Sequence, residues 1–136
     1  MSYILDTNVV SETRKRRASP FVLEFLKSIN GELTYISVLT LGELRRGVVG
    51  AEVASPEMAA EFLQWLLDIE QDFADTTCEI TAEIAYRWGE ITVGRTRPAI
   101  DSLIAATALV NDFTVVTRNV RDYRELGLRV INPWTA

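Results

Sequence analysis

The sequence contains no histidine. That excludes the Ser–His and Cys–His nucleophile pairs, HExxH zinc hydrolysis and the two-histidine acid–base pair of metal-free ribonucleases. It contains one cysteine, Cys78. One thiol forms neither an internal disulfide nor a zinc-ligand set, so a reducing compartment is the simplest setting. Long hydrophobic runs are missing too. The longest apolar stretch, residues 99–110, is interrupted by Asp101 and Ser102, and no segment reads as membrane-spanning. The stretch from Met1 to Asp6 lacks the basic start and apolar run of a signal peptide, so a cytoplasmic location is expected. Lysine is scarce: only Lys15 and Lys27 among 14 basic residues. Arginine's planar fork suits phosphate, although genome composition produces the same bias.

What is present points to one globular domain. The 136 residues fit a single domain, 1–136, and 48% apolar content is ample for one packed core. No repeat, low-complexity tract or linker interrupts it. The net charge of −5 argues at first against a nucleic-acid partner, but the charge is unevenly spread. Residues 51–90 hold ten acids and one base, Arg87, which leaves +4 on the rest of the chain.

Short apolar strands alternate with amphipathic helices, which predicts an α/β domain with a mostly parallel sheet. Strands are expected at Tyr3–Leu5, Leu33–Ile36, Thr76–Ile80, Phe113–Thr117 and Arg129–Ile131. Ser19-Pro20 and Ser55-Pro56 each pair an N-cap with a first-turn proline. The first opens a helix with Val22, Leu23, Leu26 and Ile29 on its apolar face. The second carries Met58, Phe62, Trp65, Leu66 and Ile69 at helical spacing. Leu63 and Leu67 widen that stripe beyond one core contact and leave room for a partner groove. Ser37 caps a helix running to about Gly47–Gly50. Thr81 caps one with Ile84, Ala85, Trp88 and Ile91. A further helix spans Ala99 to Val110, Asn111-Asp112 is a turn, and Arg121–Leu126 is a short helix. Trp134 and Cys78 are expected to serve packing.

Asp6 directly follows the first strand, and Thr117 ends the strand from Phe113. Carboxyl ends of parallel strands line the ligand crevice of open α/β sheets. Glu43 and Asp101 each lie within an otherwise mostly apolar helical stretch. An unpaired carboxylate near a core is costly and is usually paired or bound to a cation. Converging carboxylates are the hard oxygen ligands that Mg²⁺ or Mn²⁺ prefers. Each residue also has a plainer reading. Asp6 or Asp101 can cap a helix. Glu43 can pair with Arg46 at i+3. Asn119 can be a turn former. The basic run Arg14-Lys15-Arg16-Arg17 can be a solvated loop or a phosphate contact.

Five blocks together resemble the PIN-domain family: Leu5-Asp6-Thr7-Asn8-Val9-Val10-Ser11-Glu12, Thr40-Leu41-Gly42-Glu43-Leu44-Arg45-Arg46-Gly47, Asp101-Ser102-Leu103-Ile104-Ala105-Ala106-Thr107-Ala108, Val116-Thr117-Arg118-Asn119 and Asn132-Pro133-Trp134. The likeness is greatest to the VapC/FitB-type toxins of bacterial toxin–antitoxin pairs, and it covers nearly the whole chain in order. It implies a three-layer sandwich with a parallel five-stranded sheet, order 3-2-1-4-5, flanked by helices. It implies a ribonuclease using Mg²⁺ or Mn²⁺. Asp6, Glu43 and Asp101 match the three metal-binding acids, Thr117 the hydroxyl residue beside them, and Asn8 the polar residue after the first acid. Asn119 stands where the fourth acid is often Asp, and Asp122, three residues on, is the alternative source of that charge. Arg45, Arg97, Arg118 and Arg121 lie near these residues in sequence and are candidates for RNA.

The resemblance further implies a homodimer and a small DNA-binding antitoxin that wraps helices near residues 38–70. An antitoxin arginine entering the acidic pocket could displace metal. Two other functions stay open on the residues alone. One is an α/β phosphatase or phosphotransfer domain with Asp6 as nucleophile, although Asp6-Thr7-Asn8 lacks a second acid two residues on. The other is a PIN-like binding module without activity.

Overall fold

A computed structural model describes residues 1–135. In chain order the elements are β1 (Ser2–Leu5), α1 (Thr7–Glu12), α2 (Pro20–Ser28), β2 (Leu33–Ser37), α3 (Val38–Ala54), α4 (Pro56–Asp72), β3 (Thr77–Cys78), α5 (Ala82–Thr92), α6 (Ala99–Asn111), β4 (Thr114–Val116), α7 (Val120–Arg124) and β5 (Val130–Ile131). The five strands form a parallel sheet in the order β3-β2-β1-β4-β5, flanked by helices.

The period of two along each strand divides the core into two layers. Tyr3, Leu5 and Val116 face one side, where they pack with Val22, Leu44, Val48, Phe62 and Leu66 from α2, α3 and α4. Ile4 and Val115 face the other side and meet Ile104, Ala105 and Ala108 of α6 and Tyr123 of α7. β1 is central and buried on both faces, which is why its apolar residues run without a break.

Helix starts follow the sequence signals. Ser19, Ser37, Ser55 and Thr81 each accept a backbone N–H of the first turn through their side chains, and Pro20 and Pro56 sit at the first helical position. The fourth and fifth strands and the last helix shift by one or two residues, to Thr114–Val116, Val130–Ile131 and Val120–Arg124, and three larger differences from expectation stand out. α3 passes through Gly47 and Gly50 to Ala54, because a glycine within a helix costs only about 1 kcal/mol and tertiary packing offsets it. The third strand shrinks to Thr77–Cys78 at the sheet edge. Thr7–Glu12 forms a separate short helix immediately after β1. Leu23, Met58 and Leu67, expected on apolar faces, are exposed, while Phe25 takes a place against the core. Asp112 closes α6 in the left-handed region at φ 56°, as the Asn-Asp turn suggested.

The order 3-2-1-4-5 makes the chain go one way from β1 to β2 and the other way from β1 to β4. The switch point therefore lies between β1 and β4. Leu5 pairs in register with Val116, so the next residues, Asp6 and Thr117, emerge side by side at that mouth.

Candidate active site

Asp6 is 3% exposed and caps α1. Its Oδ1 accepts the Thr7 amide at 2.8 Å. Its Oδ2 accepts the Thr117 hydroxyl at 2.7 Å, the Tyr123 hydroxyl at 3.2 Å and, at 3.4 Å, the Asn8 amide. The capping role and the site role are thus compatible: one oxygen serves each. Burial pushes the Asp6 carboxyl above its usual range, against the hydrogen bonds from Thr117, Thr7 and Tyr123, and the nearby Glu43 adds to the rise.

Glu43, on α3, receives the Thr7 hydroxyl at 2.6 Å. Since Thr7 spends its proton there, the 2.8 Å contact with Thr40 runs from the Thr40 hydroxyl to Thr7. Among the described residues Glu43 makes no ion pair with Arg46. Asp101 lies in the first turn of α6 but caps nothing; the N-cap position is Pro98, without a side-chain bond. Its carboxyl is pushed up to about 6, first by burial and then by the charges of Asp6 and Glu43, with Asp122 adding to the rise and Asn119 opposing it. Asn119 donates from one amide nitrogen to Asp101 at 3.3 Å and to Asp122 at 2.8 Å. Its own backbone N–H is held by the Thr117 hydroxyl at 2.9 Å. Asn119 and Asp122 therefore act together: the amide bridges two carboxylates.

Asp6, Glu43, Asp101, Asp122, Thr117, Asn8 and Asn119 converge, as linked hydrogen-bond partners or as charges that act on one another. Sequence reasoning missed Thr7, Thr40 and Tyr123. Thr7 lies inside the first motif and only its contact with Glu43 reveals its use. Tyr123 looks like one more aromatic of a short helix. It is 1% exposed, and burial together with the charges of Asp6 and Asp101 keeps its phenol protonated and donating.

Of the four arginines, Arg45 is exposed on α3 without an ion pair among the described residues. Arg118 lies over the Trp134 ring at 4.9 Å, which explains part of Trp134's packing role. Arg97 and Arg121 both reach Glu125. Arg14, from the basic run, sits 3.9 Å over the Phe62 ring. Cys78 packs against the core, and burial pushes its thiol up, away from reactivity.

The donor set suits a hard divalent cation. It is all oxygen and amide, and among the described residues no lysine or arginine forms an ion pair with Asp6, Glu43, Asp101 or Asp122. As they stand, no three acidic or cysteine side chains of the described residues are arranged to hold a metal ion. Burial first, and then the charges of Asp6 and Glu43, make the Asp101 charge costly where it stands.

Asp6 and Thr117 at the switch point of a 3-2-1-4-5 sheet, with Glu43, Asp101 and Asp122 from flanking helices, define an α/β domain with an acidic mouth. Residues 3–127 match the PIN domain model, and the chain belongs to the PIN-domain family. It is 30% identical to VapC ribonuclease Y4jK of Sinorhizobium fredii, over 96% of this chain and 96% of that protein. It is 31% identical to Toxin FitB of Neisseria gonorrhoeae, over 96% of this chain and 97% of that protein. The crystal structure of FitAcB from Neisseria gonorrhoeae superposes with a TM-score of 0.88 at 31% identity, covering 98% of this chain and 99% of that one.

Proposed function

We propose that the chain is an endoribonuclease that depends on Mg²⁺ or Mn²⁺ and hydrolyses RNA phosphodiester bonds. In this reading it is the toxin of a toxin–antitoxin pair and is neutralised by a small DNA-binding antitoxin. The observation that carries the proposal is the meeting of Asp6, Glu43, Asp101 and Asp122 at one mouth of the sheet with no cationic side chain paired to them among the described residues. The ribonuclease and toxin names of full-length relatives support it.

Asp6, Glu43, Asp101 and Asp122 would hold the ion, with Asn119 as a neutral member of the set. When bound, a divalent ion supplies positive charge against the phosphate and makes a water nucleophilic near neutral pH. The chain's own groups do the positioning. Thr117 and Tyr123 fix one Asp6 oxygen, and the Thr7 amide fixes the other. The Thr7 hydroxyl, itself held by Thr40, aims Glu43. The Asn119 amide keeps Asp101 and Asp122 beside each other. Such supporting bonds set the geometry of the acids before substrate arrives. The 2′-hydroxyl is not needed as nucleophile, so the products carry a 5′ phosphate and a 3′ hydroxyl. An antitoxin that wraps the region near residues 38–70 and places an arginine among the acids would compete with the cation. A homodimer in the cytoplasm completes the proposal.

The test is cleavage of single-stranded RNA with Mg²⁺. Wild type is expected to cut, leaving 5′ phosphates. Asp6→Asn and Asp101→Asn are each expected to lower the rate by at least about 100-fold with an unchanged circular dichroism spectrum. A 2′,3′-cyclic phosphate end, or full activity in both variants, contradicts the mechanism. One observation favours a second reading, an inactive PIN-like binding module: no ready-made metal group stands among the described residues. A protein that takes up no Mn²⁺ and cuts no RNA would fit that reading.

A further inference from the structure

Beside the acids lies a feature that the chemistry above leaves unused. A cavity of about 320 Å³ is lined in part by Arg95, Arg97, Asp101, Asp122, Tyr123 and Glu125. Arg97 is built into its wall. Its side chain is only 10% exposed; Nη1 donates to the Asp122 carbonyl at 3.3 Å and Nη2 to Glu125 Oε2 at 3.4 Å. Its Nε–H is buried and has no acceptor. An orphaned donor on a buried charged group is costly and marks the place of a missing acceptor.

Two further guanidiniums reach the same carboxylate. Arg95 Nη1 lies 3.8 Å and Arg121 Nε 4.0 Å from Glu125. Three cations thus share one exposed acid. Glu125 follows the last helical residue of α7, an exposed end from which its side chain can swing away.

We propose that Arg95, Arg97 and Arg121 form a subsite for an RNA phosphate neighbouring the scissile one, with Glu125 as a built-in anionic stand-in that the phosphate displaces. The proposal rests on the ribonuclease reading for the identity of the ligand. Arginine forks match phosphate oxygens in pairs. Because Arg97 is bonded to the main chain of Asp122, the subsite lies alongside the acids.

A purely structural role makes an opposite prediction. If the cluster only braces α7 against the segment before α6, removing Glu125 loosens it. If Glu125 stands in for phosphate, removing it frees the arginines. The test is fluorescence anisotropy of a labelled single-stranded RNA with the full chain in EDTA, where no cutting occurs, across a salt series. Arg95→Gln and Arg121→Gln, both at exposed side chains, are expected to weaken binding about 3- to 10-fold each. Each should reduce the slope of log affinity against log salt by about one. Glu125→Gln is expected to tighten binding several-fold. A methylphosphonate oligonucleotide of the same sequence, with no backbone charge, should be indifferent to all three. Arginine variants that bind like wild type, a Glu125→Gln variant that binds more weakly, or a wild type that binds no RNA would each overturn the subsite. The predicted binding pattern in a protein that fails to cut RNA with Mg²⁺ would instead remove the ribonuclease and keep the subsite.

Discussion

Asp101 sits where its own charge is expensive. Burial and the charges of Asp6 and Glu43 push its carboxyl up to about 6. A carboxyl whose folded pKa lies above its unfolded value near 3.8 binds more protons in the folded state, so folding stability falls as pH rises from about 4 to about 6 and stays low above that window. Asp101→Asn removes the charge. In EDTA it is therefore expected to stabilise the protein by about 1–2 kcal/mol at pH 8, after allowance for solvent screening, and by nothing at pH 4. Thermal melts at the two pH values check this. A variant that is equally or less stable at pH 8 would show that neither burial nor the neighbouring acids penalise the Asp101 charge. Glu12 behaves oppositely. Lys15 and the Ser19 amide hold its carboxyl below the usual range, so it contributes stability above its unfolded pKa that is lost as pH falls through the folded one.

At the scale of elements, the sequence carries starts better than lengths. Ser19, Ser37, Ser55 and Thr81 announce their helices because capping is a local bond between a side chain and the next turn. The end of α3 is set by packing, which the glycines at 47 and 50 conceal. Gly47 is there for close approach: a Cβ on it would lie 2.8 Å from Phe62 Cζ and 2.9 Å from Cε2. Phe62 is itself fixed between Arg14 and Trp65, so it has little room to give. Gly47→Val is expected to destabilise the fold by about 2–3 kcal/mol through overpacking of α3 on α4. Chemical denaturation measures it, and Phe62→Leu in the same chain should recover part of the loss. An unchanged midpoint in Gly47→Val would mean that the helices are not seated as described. The two-residue β3 could not be bounded from sequence, because an edge strand is defined by its partner β2 and its flanks read equally well as strand.

At the scale of the whole molecule, the site was legible because it combines two long-range facts that sequence can carry. Acids after parallel strands end up at one edge, and acids in apolar helical stretches need company. Asp6 and Thr117, 111 positions apart, share a 2.7 Å hydrogen bond because their strands are register partners. The supporting bonds from Thr7, Thr40 and Tyr123 were not legible, since a threonine or tyrosine has many satisfactory surroundings and only the packed fold selects one. The division of charge is also a property of the whole. The acidic stretch 51–90 spans α4, β3 and most of α5, while the chain outside it is net positive and carries the site together with Arg45, Arg97, Arg118 and Arg121.

The central claim is that these distant acids grip one cation together. Isothermal titration of the chain with Mn²⁺ at pH 7.5 tests it most directly. Wild type is predicted to take up Mn²⁺, with Asp6→Asn and Asp101→Asn each weakening uptake by about tenfold or more while remaining folded. Equal uptake by all three proteins, or none by wild type, would contradict it.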